Sequence, residues 1–493
     1  MHEPNQEPQA GGGSRLSAFD VAHRVLVRVE AGAYASLTLS GELERARLDD
    51  SARGLCTELV YGSLRRQVRL DQVLSRLAPR GLGTLDVHVR VLLRLGAYQL
   101  LYTRVSPVRA VNQVVTALRT LRGPGLAGFG NALLRRLARE GAPPPPDIPA
   151  DAALPVVAAA LAGQHGLPQF LLEDLLPLLG RGGTTELCAA LDTPAPTWLR
   201  LNPLRGSYAE ARAALERDGA VLAEAAASSP WESSLGSCLP EAVRLLSGHP
   251  FSGAAYRRGL FTAQDLGAQL VTHLLLSDSD SGPLALPEGP LLDACCGTGG
   301  KATHLSALLQ EGGAGRLGPR AIDAADQSAR KLELCQEHLQ RLGCRGVRPL
   351  RVDLLQPEAI ASQLQPSYAA ILLDAPCSGS GVLRRHPEAR SRLSRAGVAG
   401  LAATQRRMLE ALLPRLQVGG VLCYAVCSPL PSEGAELMAT VLAAHPELRP
   451  LPPPLQTAPW SQVSAGPLPG LFTWPHQHNA DSFYALRLRR VMV

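Results

Sequence analysis

Two apolar runs, each leading into a cysteine, constrain the fold of this chain more than any other feature. Ile371 to Pro387 reads ILLDAPCSGSGVLRRHP and Gly419 to Ser428 reads GGVLCYAVCS. An apolar run followed at once by small and polar residues predicts a buried parallel strand that delivers side chains at its carboxyl end. In an open α/β sheet that edge is where ligands bind. Cys377 and Cys427 are therefore expected as two thiols from different strands facing one crevice. Such a pair suits covalent chemistry in which one thiol attacks and the other assists.

The pattern around these runs predicts the rest of the sheet. From residue 256 to 493 strands and helices alternate: PLLDACC, RAIDAAD, VRPLRVDL, YAAILLDAPC and GGVLCYAVCS read as strands, with SFYALRLRRV closing the chain. Amphipathic stretches such as QSARKLELCQEHLQRLG separate them, which argues a doubly wound, Rossmann-like parallel sheet. Residues 18–141 read differently, as an all-α bundle. AFDVAHRVLVRVEAGAYASLTL and LCTELVYGSLRRQVRLDQVLSRL each predict one long helix by apolar spacing of three to four. Residues 142–150 are expected as a Pro-rich linker and 151–255 as a small α+β connecting region. Residues 1–17 are polar and Gly-rich and read as a disordered lead.

Composition limits the class of protein. The chain has 493 residues, 46% of them apolar, enough for two or three domains with sizeable cores. No apolar run reaches the ~18 residues of a membrane span, and no signal-peptide pattern opens the chain, so a cytoplasmic protein is expected. The ten cysteines are scattered without paired CxxC motifs, which predicts reduced thiols and no metal. The net charge is +6, weak evidence for nucleic acid by itself. Only Lys301 and Lys331 are lysines among 49 basic residues. An arginine bias of this kind, with abundant Ala, Gly and Pro, fits a GC-rich genome, and it makes Lys301 stand out.

Lys301 closes a Gly-rich turn, Asp293-Ala-Cys295-Cys296-Gly297-Thr298-Gly299-Gly300-Lys301. The turn fails the Walker A pattern at Cys295 and Ala302, and fails GxGxxG at Ala302. An S-adenosylmethionine loop remains, cradling an amino acid and a ribose. Its ribose acid is expected about 20 residues on, which selects Asp323, and Asp353 is expected near the adenine. A lone aspartate of this kind is usually a cap or turn residue. Four acids at four successive strand ends, Asp293, Asp323, Asp353 and Asp374, point to a site.

These residues carry a resemblance. DACCGTGGKATH, DAPCSGSGVLRRHP, YAVCSPLPSE and the upstream TAQDLGAQLV resemble the RNA cytosine-C5 methyltransferases of the Sun (Fmu) family. LCTELVYGSLRRQVRLDQVL, LLRLGAYQLLYTR and GFGNALLRRL resemble the NusB-like RNA-binding domain of that family's bacterial 16S ribosomal RNA member, as do RRHP and PTWLRLNP that member's other segments. The chain departs from the family at Cys296-Gly297-Thr298, where Ala-Ala-Pro is usual, at Val426, where Thr is usual, and at Pro431-Ser432-Glu433-Gly434, where Pro-Glu-Glu-Asn is usual.

The resemblance implies an S-adenosylmethionine-dependent enzyme that methylates carbon 5 of a cytosine in 16S ribosomal RNA. Cys427 is implied as the nucleophile and Cys377 as the group acting at product release. Asp374 is implied at the pyrimidine N3 edge, and Lys301 in electrostatic support. The Pro376 carbonyl is an acceptor for the exocyclic amine or part of a plain turn. The partner implied is 16S ribosomal RNA, engaged at a loop or flipped base, with no membrane, no metal and a monomeric enzyme. The alternatives are the same chemistry on tRNA or another rRNA site, or an RNA-binding assembly factor with a decayed site. A NAD-dependent dehydrogenase lacks its fingerprint and leaves the two cysteines unexplained.

Overall fold

Ser17 starts the first helix through a reciprocal cap. Its hydroxyl accepts from the Asp20 N–H at 3.2 Å, and the Asp20 carboxylate accepts from the Ser17 N–H at 3.0 Å. The computed structural model describes residues 16–78, 81–223, 239–278, 284–310, 317–453, 468 and 470–492. Leu16 and Ser17 apart, the expected disordered lead lies outside the described residues. The chain forms two compact units, residues 1–169 with 386–391, and residues 170–385 with 392–493.

The first unit is helical. Its helices are Ala18–Glu30, Ala35–Ala46, Asp50–Arg65, Gln67–Leu77, Val87–Tyr102, Pro107–Arg122, Pro124–Glu140 and Leu154–His165. Each of the two long helices expected from the sequence is a pair. Gly32, at φ +100°, turns the chain between the first two helices, and Arg66 breaks the second run with φ −103° and ψ 7°. Val87–Tyr102 is the central helix, with Val89, Leu92, Leu93 and Leu95 fully buried. Arg94 on the same helix is neutralised by Asp71, at 2.6 and 2.8 Å, and by Glu30.

The Pro-rich stretch 142–150 is tied to the bundle. Its carbonyls have few donors nearby in sequence, and side chains of the bundle supply them. Arg69 donates to the Pro143 carbonyl, and Gln164, from the next helix, donates to Pro146 at 2.9 Å. Gln72 donates to Gly163 at 2.8 Å. The unit therefore extends to residue 169 and takes in 386–391 as well. Glu388 accepts from the Ala35 N–H at 3.2 Å, and Arg390 donates to the carbonyls of Arg65 and His165 at 3.1 and 2.7 Å.

The second unit holds two sheets. The smaller is antiparallel, in the order β2-β3-β1-β4, from β1 (Thr197–Leu201), β2 (Val221–Leu222), β3 (Ala242–Ser247) and β4 (Phe261–Ala263). The connecting region expected to end at 255 reaches further, because β4 pairs with β1, Leu199 opposite Ala263. The larger sheet comprises β5 (Leu291–Asp293), β6 (Ile322–Asp326), β7 (Val347–Arg351), β8 (Tyr368–Asp374), β9 (Leu416–Val426), β10 (Leu448–Pro450), β11 (Leu471–Thr473) and β12 (Phe483–Arg490). Its order is β10-β12-β9-β8-β5-β6-β7, with β11 on β12. Strands β5 to β9 are parallel as expected. The last strand is not, since β12 runs antiparallel to β9, and the sheet is mixed. Among the described residues no helix is long and apolar enough to cross a membrane.

Candidate active site

The adjacency of β8 and β9 builds the centre of the site. The two strands are parallel, with Asp374 opposite Ala425. β8 ends at Asp374 and β9 at Val426, so the residues that follow leave the sheet side by side. Cys377 Sγ lies 3.2 Å from Cys427 Sγ. Gly381 holds the two loops together. Its N–H donates to the Cys427 carbonyl and its own carbonyl accepts from Ser482 N–H, each at 3.0 Å. A Cβ at Gly381 would lie 2.2 Å from the Ser482 oxygen and 2.7 Å from the Cys427 oxygen, too close for any side chain.

The two thiols differ in their surroundings. A hydrogen bond with Cys427, then burial and the charges of Cys427 and Glu433, push the Cys377 thiol far above its usual range. Cys377 thus holds the proton that the pair shares. Lys301 comes from the start of the helix Gly300–Gln310 and donates to Asp374 Oδ2 at 2.5 Å. Its Nζ also lies 5.3 Å from the centre of the Phe483 ring. Burial pulls the Lys301 pKa down, but Asp374, Asp293 and Cys427 outweigh it, and the ammonium is stabilised. The cation therefore sits within electrostatic reach of Cys427.

Beneath the thiols lies a polar cluster that the sequence reading did not assign. Glu433 is fully buried and accepts from Ser378 N–H at 2.8 Å, Ser378 Oγ at 2.5 Å and Gln405 Nε2 at 3.1 Å. Gln405 Nε2 also donates to the Pro376 carbonyl at 3.0 Å, and Ser380 Oγ meets Ser428 Oγ at 2.9 Å. An acid inside PLPSE, two residues before the helix Ala435–Ala444, was the available signal for Glu433.

The Gly-rich turn joins β5 to the helix Gly300–Gln310. Gly297 and Gly299 both adopt positive φ, +57° and +85°. A Cβ on Gly299 would meet Cys335 Sγ at 2.6 Å, whereas nothing lies within 4 Å of one on Gly297, which faces open space. The Thr298 carbonyl accepts from His338 Nδ1 at 2.9 Å. Cys295 and Cys296 are inert packing thiols: burial raises the first, and a Cys335 hydrogen bond with burial raises the second.

The expected ribose acid requires correction. Asp323 is the second residue of β6, three positions before the strand end, and is buried. Its carboxylate is taken by Arg348 Nε and Nη2 at 2.9 and 3.0 Å and by the Tyr368 hydroxyl at 2.8 Å. The acid at the carboxyl end of β6 is Asp326. Its Oδ2 accepts from the Gly297 N–H at 3.1 Å and its Oδ1 from the Ser328 N–H at 2.8 Å. Asp353 follows β7, and its Oδ1 accepts from the Leu355 N–H at 2.9 Å in a local turn. Val352 N–H donates to the Asp326 carbonyl at 3.1 Å, so these two strand ends are neighbours.

Asp293 ends β5 and is fully buried. Neither carboxylate oxygen closes a hydrogen bond of normal geometry, although the Ala302 N–H favours the charged form. A buried carboxylate with spare acceptor capacity, a turn with open space at Gly297 and an acid at the next strand end fit a ligand with a cationic amino acid end and a ribose. S-adenosylmethionine has both.

Residues 285–489 match the family described as 16S rRNA methyltransferase RsmB/F, and residues 14–139 match the NusB family. The ribosomal RNA small subunit methyltransferase B of Pseudomonas putida is 36% identical, over 87% of this chain and 90% of its own. The probable ribosomal RNA small subunit methyltransferase B of Synechocystis is 29% identical over 96% of this chain and 100% of its own. The crystal structure of PH0851 superposes with a TM-score of 0.74 at 20% identity, over 97% of this chain and 100% of that one, which shows a common fold. The chain belongs to the 16S rRNA methyltransferase RsmB/F family and is an RNA methyltransferase that uses S-adenosylmethionine.

Proposed function

We propose that this protein methylates carbon 5 of a cytosine in the RNA of the small ribosomal subunit through a covalent cysteine–cytosine adduct. The observation that carries the reading is the pair of thiols 3.2 Å apart at the ends of adjacent strands, beside the Lys301–Asp374 ion pair. Carbon 5 of cytosine is a weak nucleophile. Addition of the Cys427 thiolate to carbon 6 makes it enamine-like. Negative charge that develops at N3 is offset by the Lys301 ammonium, which its ion pair with Asp374 holds in place. S-adenosylmethionine, when bound, supplies an electrophilic methyl group. Asp293 and Asp326 hold the cationic and ribose ends of that cofactor, with Gly297 and Gly299 giving it close access to backbone.

Cys377 acts after methyl transfer. The carbon 5 proton then passes to water, the bond from carbon 6 to sulfur breaks, and its electron pair returns to Cys427, whose departing sulfur is stabilised by a hydrogen bond from the Cys377 thiol at 3.2 Å. Cys377 holds its proton during attack, which supports the division of roles. Glu433, Gln405 and Ser378 position the loop that carries it.

RNA binding is assigned to the first unit, where a groove of about 820 Å³ is lined by Arg24, Arg109, Asn112, Gln113 and Thr116 among others. Its cationic and amide side chains suit phosphate and base contacts. The test is bisulfite mapping of ribosomal RNA from a deletion strain beside wild type, with transfer of isotopic methyl to small-subunit RNA by purified enzyme. Loss of one 5-methylcytosine is expected. An unchanged map together with no transfer leaves the assembly-factor reading.

A further inference from the structure

We propose that Glu241, His273 and His304 bind one divalent transition-metal ion of the zinc type, away from the catalytic thiols. Three separate elements of the second unit supply the groups. Glu241 immediately precedes β3, and its carbonyl accepts from the Leu201 N–H of β1 at 2.8 Å. His273 lies in the helix Leu266–Leu276 and His304 in Gly300–Gln310. One ligand atom from each converges, all within 4.8 Å of one another.

The three groups share one focus. His273 Nε2 and His304 Nε2 both point at the same oxygen, Glu241 Oε1, at 2.5 and 3.2 Å. Tetrahedral zinc with N and O ligands sets them about 3.3 Å apart. His304 already stands near that spacing from Glu241, and a side-chain shift of under about 1 Å brings His273 to it. Two histidines and one carboxylate form a recognised zinc donor set that leaves a fourth position for water. Glu241 and His304 are buried, while His273 is half-buried, which gives that position access to solvent.

The charge nearest the site is that of Arg200. Arg200 itself is fixed on the Gly300 carbonyl and Thr303 Oγ, each at 2.9 Å, and its charge sets the repulsion a dication must overcome. An occupied site would join the small sheet to the helix that begins at Gly300 and Lys301. This departs from the sequence reading, which expected no metal; Glu241 stands 32 residues from His273 and 63 from His304 with no motif between them.

The experiment uses the full-length chain, stripped with a chelator and titrated with zinc chloride. About one zinc per chain by elemental analysis and a raised thermal midpoint on zinc addition are expected. His273→Ala and Glu241→Gln, checked for folding by circular dichroism, are expected to bind zinc more than about tenfold more weakly. Cobalt(II) in place of zinc is expected to give visible d–d bands without a sulfur-to-metal charge-transfer band. No zinc-dependent shift in the wild type, undiminished binding by both variants, or a sulfur charge-transfer band would each overturn the proposal. None of the three residues belongs to the methyl-transfer machinery, so this outcome is independent of the methylation assays.

Discussion

Cys377 keeps its proton while Cys427 lies within reach of the Lys301 charge, and this asymmetry gives the two thiols separable phenotypes. Cys427→Ala removes the attacking sulfur, so neither methylation nor an adduct is expected. Cys377→Ala leaves attack and methyl transfer intact and stalls elimination. A protein–RNA band that survives denaturing electrophoresis is expected for that variant alone; the opposite pattern reverses the roles. The acids of AIDAAD separate in the same way. Asp326→Ala is expected to weaken cofactor binding in calorimetry by ~1.5–3 kcal/mol, the range for charge-assisted hydrogen bonds. Asp323→Ala is expected to leave cofactor affinity unchanged and to lower stability by ~1–3 kcal/mol, because the buried Tyr368 hydroxyl loses its acceptor. Sequence spacing pointed to Asp323, whereas the residue at the strand end is Asp326. Two aspartates three positions apart lie on opposite faces of a strand, and only the strand's end decides which one reaches the ligand edge.

Asp293 adds a pH signature at the same scale. Burial pushes it up to about 7, Lys301 pulling down and Asp374 and Asp326 pushing further up. A folded value above the ordinary 3.8 means that the folded chain holds a proton the unfolded chain releases. The stability this confers is complete below pH 3.8 and is lost as pH rises through about 7. A cation bound beside Asp293 expels that proton. Cofactor affinity is therefore expected to rise between about pH 6 and about pH 8, with proton release seen by calorimetry in buffers of differing ionisation enthalpy. In Asp293→Asn the release should vanish.

At the scale of elements, the position of the thiols depends on two loops that the sheet aligns but does not join. Gly381 joins them. Gly381→Ala forces a methyl group against the carbonyls of Ser482 and Cys427, and a cost of about 1–3 kcal/mol is expected from overpacking. Methyl transfer should fall well beyond what that loss of stability explains, measured as turnover beside a thermal melt. The strands carrying this geometry were legible in the sequence, because β5, β6, β8 and β9 are apolar runs broken by small and polar residues. The reversal at β12 was not, since SFYALRLRRV has the same composition whichever way it runs. The break between the first two helices was likewise hidden, Gly32 being one glycine among 47.

For the whole molecule, a net charge of +6 carried almost entirely by arginine implies an electrostatic share in RNA binding. Affinity for small-subunit RNA is expected to fall with salt on a log–log slope of about −0.7 per phosphate contacted if the RNA is single-stranded there. Arg24→Ala and Arg109→Ala should each flatten the slope by roughly one contact, and equilibrium binding across a salt series checks it. The two-part division of the chain was readable from the change in hydrophobic period. The attachment of the Pro-rich stretch to the bundle was not, because proline content signals a linker while Arg69 and Gln164 bind that stretch.

The short segment 386–391 sets an order of events during synthesis. Arg390 closes on the His165 carbonyl 225 residues upstream. A ribosome adding about 5–20 residues per second needs roughly 11–45 seconds to cover that distance. Throughout that interval the helical unit has emerged without its last piece, and the Arg390 side chain, encoded just beyond Cys377, has not yet reached the Arg65 and His165 carbonyls. Completion of the bundle therefore reports that translation has passed Cys377, and a nascent chain arrested before residue 390 should present a more protease-sensitive bundle than one arrested after it.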